Sequence, residues 1–151
     1  MNGDSKGDER RLIFDETAGD KNGTVQVSTQ IFDDGTTFIR VVGLGSVEGM
    51  DASAKSFEAG LSKLGATPAR VRLDLVGFTG APLQAQLRLV AWMIRFQDHI
   101  GYLGVVGGDQ VAIRVARAIY RLLPFRQRVA FFETAADFQG SHPYFRKAEA
   151  T

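Results

Sequence analysis

Val25, Val27, Thr29 and Ile31 alternate with Gln26, Ser28 and Gln30, a period of two that gives a β-strand one apolar and one wet face. Asp33, Asp34 and Gly35 follow, residue types that accept the unusual dihedrals of a tight turn, and residues 37–42 resume the β-rich pattern. The two runs predict an antiparallel hairpin. Upstream, residues 11–14 predict a short first strand, with residues 18–23 (Ala-Gly-Asp-Lys-Asn-Gly) as a turn-rich connector.

The period then changes. Met50, Ala54, Phe57, Leu61 and Leu64 recur at spacings of four and three, one face of an α-helix. Asp51 or Ser53 is the expected N-terminal cap, Gly65 the expected left-handed residue at the C-terminus, and Pro68 stops further helical extension. Residues 71–76 form the next expected strand, with Val71, Leu73 and Leu75 on one face and Arg72, Asp74 and Val76 on the other. An acid in a central strand needs a partner or a place at the strand's wet end, so a structural hydrogen-bonding role is expected for Asp74.

Pro82 suits the first turn of a second helix. Along it Leu83, Leu87, Val90 and Ile94 make one apolar line and Leu89, Trp92 and Phe96 another, which predicts a broadly buried helix with both aromatics in the core. Residues 102–106 read as a strand. Gly107 and Gly108 lead to Asp109, an expected cap for a third helix through Val111, Val115, Ala118 and Leu122. Residues 129–132 form a last strand, and residues 133–138 a terminal helix. Strands alternating with helices imply parallel pairing through crossover connections. The expected fold class is therefore α/β, a single domain over residues 11–140 with a mixed β-sheet, an N-terminal antiparallel hairpin and crossover helices. Residues 1–10 and 141–151 are expected to be tails.

The chain's 151 residues suit one domain with a proper core. Its 18 Lys and Arg against 17 Asp and Glu leave a net charge of +1, which supplies no global field to recruit nucleic acid. The absence of Cys removes disulfides and thiolate chemistry and fits a reducing compartment, so a cytoplasmic location is expected. Residues 1–11 are too polar for a secretory signal, and arginines interrupt every long apolar stretch, so no integral membrane segment is expected.

Few residues carry a chemical signal. Gly107 and Gly108 before a helix resemble a phosphate-binding turn, but no dinucleotide or P-loop signature accompanies them, and Asp109 opposes an anion; a turn and cap is the better reading. Arg114, Arg117 and Arg121 fall at i, i+3 and i+7, which gathers three guanidinium groups on one helical face, with Arg126 and Arg128 just beyond. That face suits an anionic partner, although a solvated outer surface explains it more simply. His99 and His142 lack acidic helpers at metal-ligand spacing, and Ser46, Ser53 and Ser56 lack a nucleophile elbow. No catalytic, metal or cofactor site is predicted.

The sequence Val71-Arg72-Leu73-Asp74-Leu75-Val76-Gly77-Phe78-Thr79-Gly80, then an amphipathic helix, Leu103-Gly104-Val105-Val106-Gly107-Gly108, a helix and Val129-Ala130-Phe131-Phe132, resembles the STAS-like fold. STAS domains take their name from sulfate transporters and anti-sigma-factor antagonists. The nearer likeness is to the SpoIIAA-like group, which has a similar strand ending in an aspartate, a Gly-Phe turn and a last strand running into an Ala-rich helix. The resemblance spans residues 24–138. It implies a non-catalytic, bacterial-type regulatory module whose protein partner meets the loop of Asp74, Gly77, Phe78, Thr79, Gly80 and Pro82, flanked by residues 43–46. It leaves a homodimer open. In phosphorylated antagonists this loop carries Asp-Ser-Ser-Gly with an acceptor Ser at the helix N-terminus. Here Thr79-Gly80-Ala81-Pro82-Leu83 stands in its place, without that Ser and with Thr79 a few residues early. An alternative function is a carrier of a small apolar molecule or lipid, with Phe57, Phe78, Trp92 and Phe96 lining a cavity of about 300 Å³ or more.

Overall fold

A computed structural model describes residues 10–107, Arg114, Arg117 and Val129–Phe132. The strands are β1 (Leu12–Gly19), β2 (Val25–Phe32), β3 (Thr36–Leu44), β4 (Ala69–Asp74), β5 (Phe78–Gly80), β6 (Ile100–Val106) and β7 (Val129–Phe132). The helices are α1 (Val47–Leu64) and α2 (Leu83–Arg95), with a 3-10 turn at Gln97–His99. The main sheet order is β1-β2-β3-β4-β6-β7, and β5 adds to β3 beyond the end of β4. Pairing is antiparallel for β1-β2 and β2-β3 and parallel elsewhere, so the sheet is mixed.

The hairpin registers Val27 opposite Val41 and Thr29 opposite Ile39, and β3 carries the same face onto β4 by pairing Thr37 with Val71 and Ile39 with Leu73. Leu103 and Val105 of β6 continue it beside Val71 and Leu73. Because side chains alternate across a strand, this registration gathers the apolar positions of four strands on one face. Phe57 and Leu61 from α1, and Ala85 from α2 with Phe96 just beyond its end, complete the core there. The opposite face carries Ser28, Gln30, Phe38, Arg40, Arg72 and Asp74. Phe32 and Phe38 meet edge to face on it with ring centroids 6.0 Å apart.

Three expectations need correction. The first strand is not the short segment 11–14 but runs eight residues to Gly19, so that only residues 20–23 of the expected connector form the turn. Asp15, Glu16 and Thr17 hid it, because a strand at the sheet's edge can be polar on both faces and still be held by its ladder to β2. The cap of α1 is Ser46, not Asp51 or Ser53: its hydroxyl accepts from Gly49 N at 3.0 Å, and helix begins at Val47. Finally, α2 is not broadly buried. Ala85 and Val90 are buried, whereas Leu83 and Leu87 are 67% and 51% exposed and Ile94 is exposed too. A helix lying on a sheet buries one stripe, and the stripe of Ala85, Leu89, Trp92 and Met93 takes that place.

Gly65 ends α1 with positive φ, 60, but with ψ −121 it is not the left-handed αL residue expected there; Trp92 and Phe96 do pack against the core, stacked with centroids 5.6 Å apart. Arg114 and Arg117 are helical and exposed. Asp109, Arg121, Arg126, Arg128, His142, the helix expected at 133–138, residues 1–9 and residues 141–151 lie outside the described residues.

Candidate functional site

Asp74 ends β4, and the chain turns at once. Phe78 N donates to Leu75 O at 3.0 Å, closing a four-residue turn in which Gly77 has φ 93. A left-handed residue at that third position is what a type II turn requires, so glycine is demanded by the backbone. Asp74 Oδ1 accepts from Val76 N at 2.9 Å, an Asx turn that fixes the exit from the strand. Its other oxygen lies 3.8 Å from the Arg72 guanidinium. Burial lowers the pKa of Arg72, and the charge of Asp74 opposes that shift. Asp74 thus has the structural hydrogen-bonding role expected of it.

The turn is held from the other side by β3. Gly43 N donates to Gly77 O and Gly45 N to Gly80 O, each at 2.8 Å. Phe78 pairs with Gly43 and Gly80 with Leu44, so what the sequence shows as a loop is a short parallel strand, β5. Three residues with a non-local ladder leave no periodic trace in the sequence, which is why this strand was invisible. Gly43, at φ 100, lies so close to the Thr24 carbonyl that a Cβ there would collide with it. Within this platform Phe78 and Gly80 are buried, and Gly77, Thr79 and Pro82 are exposed. Pro82 sits in extended conformation at the N-terminus of α2, which has no side-chain cap. The segment 77–82 and the segment 43–46 therefore form one hydrogen-bonded surface at the C-terminal end of the sheet.

A second network, which no periodicity in the sequence marks, braces this surface. Asp20 follows β1, and its carboxylate accepts from the Thr24 hydroxyl, from Thr24 N at 2.8 Å and from Ser46 Oγ at 2.8 Å. The Thr24 hydroxyl is the largest influence on Asp20; partial burial acts against it, and Ser46 with the amides of Thr24 and Val25 adds to it, leaving the pKa lowered to about 2. Lys21 N adds a bond to Glu48 at 3.2 Å. The signal available in the sequence was Ser46 three residues before Gly49, a capping distance hidden by the run of glycines around it.

Beneath the platform, between the sheet and both helices, lies an apolar cavity of about 140 Å³. Phe57, Phe78, Trp92 and Phe96 all line it, as the carrier reading requires, but its volume is about half the ~300 Å³ at which drug-sized ligand pockets begin. Opposite, on the outer face, Ser28, Gln30, Phe38, Arg40, Arg72 and Asp74 border a more polar hollow of about 380 Å³. Among the described residues no three His, Asp or Glu side chains group as metal ligands, and no helix is long and apolar enough to cross a membrane.

No protein-family model matches the chain, and no curated protein does. A solved structure does: an uncharacterized protein of the DUF3478 family with a SpoIIAA-like fold, from Shewanella loihica PV-4, at TM-score 0.54 and 13% identity, over 85% of this chain and 90% of that one. The fold is SpoIIAA-like. In this SpoIIAA-like frame the surface of residues 77–82 occupies the C-terminal ends of the parallel strands, where open α/β sheets place their binding sites.

Proposed function

We propose that the protein is a non-catalytic, regulatory interaction module that binds a protein partner through the C-terminal end of its sheet. The contact surface is Gly77, Thr79 and Pro82, continued by Leu83 and Leu87 on α2, with Asp74 and Phe78 holding it from below. One observation carries this reading. Two leucines, 67% and 51% exposed, stand next to a turn whose backbone is fixed by hydrogen bonds to β3. Large apolar side chains exposed together on a soluble domain mark contact surfaces, and a preorganised backbone lowers the entropic cost of binding. Exposed Arg114 and Arg117 would favour a partner with an acidic rim. A cytoplasmic setting agrees with this role.

The test is site-specific photocrosslinking in the source cells, with the reactive group placed at Leu83 and, separately, at Lys55, an exposed position on α1. A defined protein adduct at Leu83 and none at Lys55 is the expected result. Adducts of equal pattern at both positions, or none at either, would remove this surface as the docking site. An adduct of twice the chain's mass would identify the partner as a second copy.

A further inference from the structure

We infer that the cavity between the sheet and the two helices is a binding site for one compact apolar molecule the size of a single aromatic ring. Its volume of about 140 Å³ excludes a lipid but matches that of engineered protein cavities of about 150 Å³ that stay dry and take up benzene or xenon. The walls are Val27, Ile39 and Leu103 from the sheet, Phe57 from α1 and Trp92 from α2, with Phe96 just beyond it.

Three polar side chains reach the wall, and one of them, Thr29, brings a hydroxyl to an otherwise apolar lining. Ser53 donates to Met50 O at 2.9 Å, and Gln86 donates to Ala81 O at 2.8 Å. The indole N–H of Trp92 donates to Asp51 Oδ1 at 3.1 Å on the far side, so the ring offers the cavity carbon only. A void with such walls holds water poorly, because water needs two or more polar partners, whereas an apolar guest regains the dispersion contacts the void forfeits. Aromatic rings in the wall, with Phe57 edge-on to Phe96 at 5.4 Å, favour a planar aromatic guest. Phe78 and Ala81 are part of the lining, so an occupant touches the inner side of the surface proposed above for a partner. The site itself does not depend on that proposal.

Trp92 is the chain's only tryptophan, which gives the site its own fluorescence signal. The experiment titrates the full-length chain with benzene, toluene and anthracene, following Trp92 emission and the melting temperature. Benzene and toluene are expected to change emission saturably with one site per chain and to raise Tm by several degrees, because a ligand that binds only the folded state stabilises it. Anthracene, too large for the cavity, is expected to do neither. Filling the cavity with Ala85→Leu or Ala54→Leu is expected to abolish the benzene response. No response of the wild type up to benzene's solubility, an equal response to anthracene, or an undiminished response in a folded filled variant would each overturn the inference. The wild-type size series decides the matter even where both variants fail to fold.

Discussion

Ser46 Oγ donates to Asp20 Oδ2 at 2.8 Å and at the same time accepts from Gly49 N at 3.0 Å. A single hydroxyl thereby joins the β1-β2 turn to the N-terminus of α1, elements 26 residues apart in the chain. The carboxylate orients the hydroxyl proton away from the helix, which leaves the oxygen's lone pair free to cap it.

This coupling predicts a specific acid sensitivity. Asp20 has its pKa lowered from 3.8 to about 2 in the folded protein, so the stability it contributes is fully present above the unfolded value and is lost as pH falls through the folded one. Urea midpoints measured from pH 5 to pH 2 should decline more steeply for the wild type than for Asp20→Asn, which should be the less stable of the two near neutrality. Parallel curves would show that the carboxylate's charge contributes nothing.

Ser46→Ala should cost about 1–2 kcal/mol, the upper part of the range for losing a cap, because a second bond goes with it. Ser53→Ala is the contrasting case. Its hydroxyl bonds a carbonyl within the helix, and the substitution should change stability by less than about 0.5 kcal/mol. Thermal melts of the two variants would separate the cap seen in the structure from the one the sequence suggested.

Gly77→Ala places a side chain at φ 93 and should destabilise by about 1–2 kcal/mol, the usual cost of a left-handed non-glycine residue. The same variant should weaken crosslinking from Leu83 more than its stability loss explains, since it moves the turn that supports the surface. Unchanged crosslinking would separate the turn from the binding function.

Leu83→Ser and Phe57→Ala probe opposite sides of the domain's organisation. The first removes an exposed side chain and should leave stability within about 0.5 kcal/mol while abolishing partner capture. The second enlarges a buried apolar void and should cost about 3–5 kcal/mol. Denaturant unfolding of each variant gives the comparison directly.

What could be read from the chain depended on whether the signal was local. The hairpin of β2 and β3 was legible because Val25 to Ile31 alternate strictly and Asp33-Asp34-Gly35 supplies the turn. Asp74 was legible as a residue needing partners, because an acid among Val71, Leu73 and Leu75 must be satisfied. The exposure of Leu83 and Leu87 was not legible, since two apolar lines on one helix do not say which of them meets the sheet. Nor was the ladder from Phe78 to Gly43, which joins residues 35 apart by backbone atoms that carry no sequence identity. The candidate site was thus visible as a place, between Asp74 and Pro82, while its rigidity and its link to Ser46 and Asp20 were not.

The outermost position of β1 has a further consequence. Among the described residues its outer edge pairs with no other strand, leaving a row of amide and carbonyl groups able to template another chain beside the apolar Leu12, Ile13 and Phe14. Asp15 and Glu16, exposed on opposite faces of that strand, act as gatekeepers: stacking a second copy in register would set like charges against each other on both sides of the growing ribbon. Neutralising Asp15 should convert a protective border into a nucleus for aggregation, whereas Glu16 also accepts from Ser56 Oγ of α1 at 3.1 Å and so is tied to the fold as well.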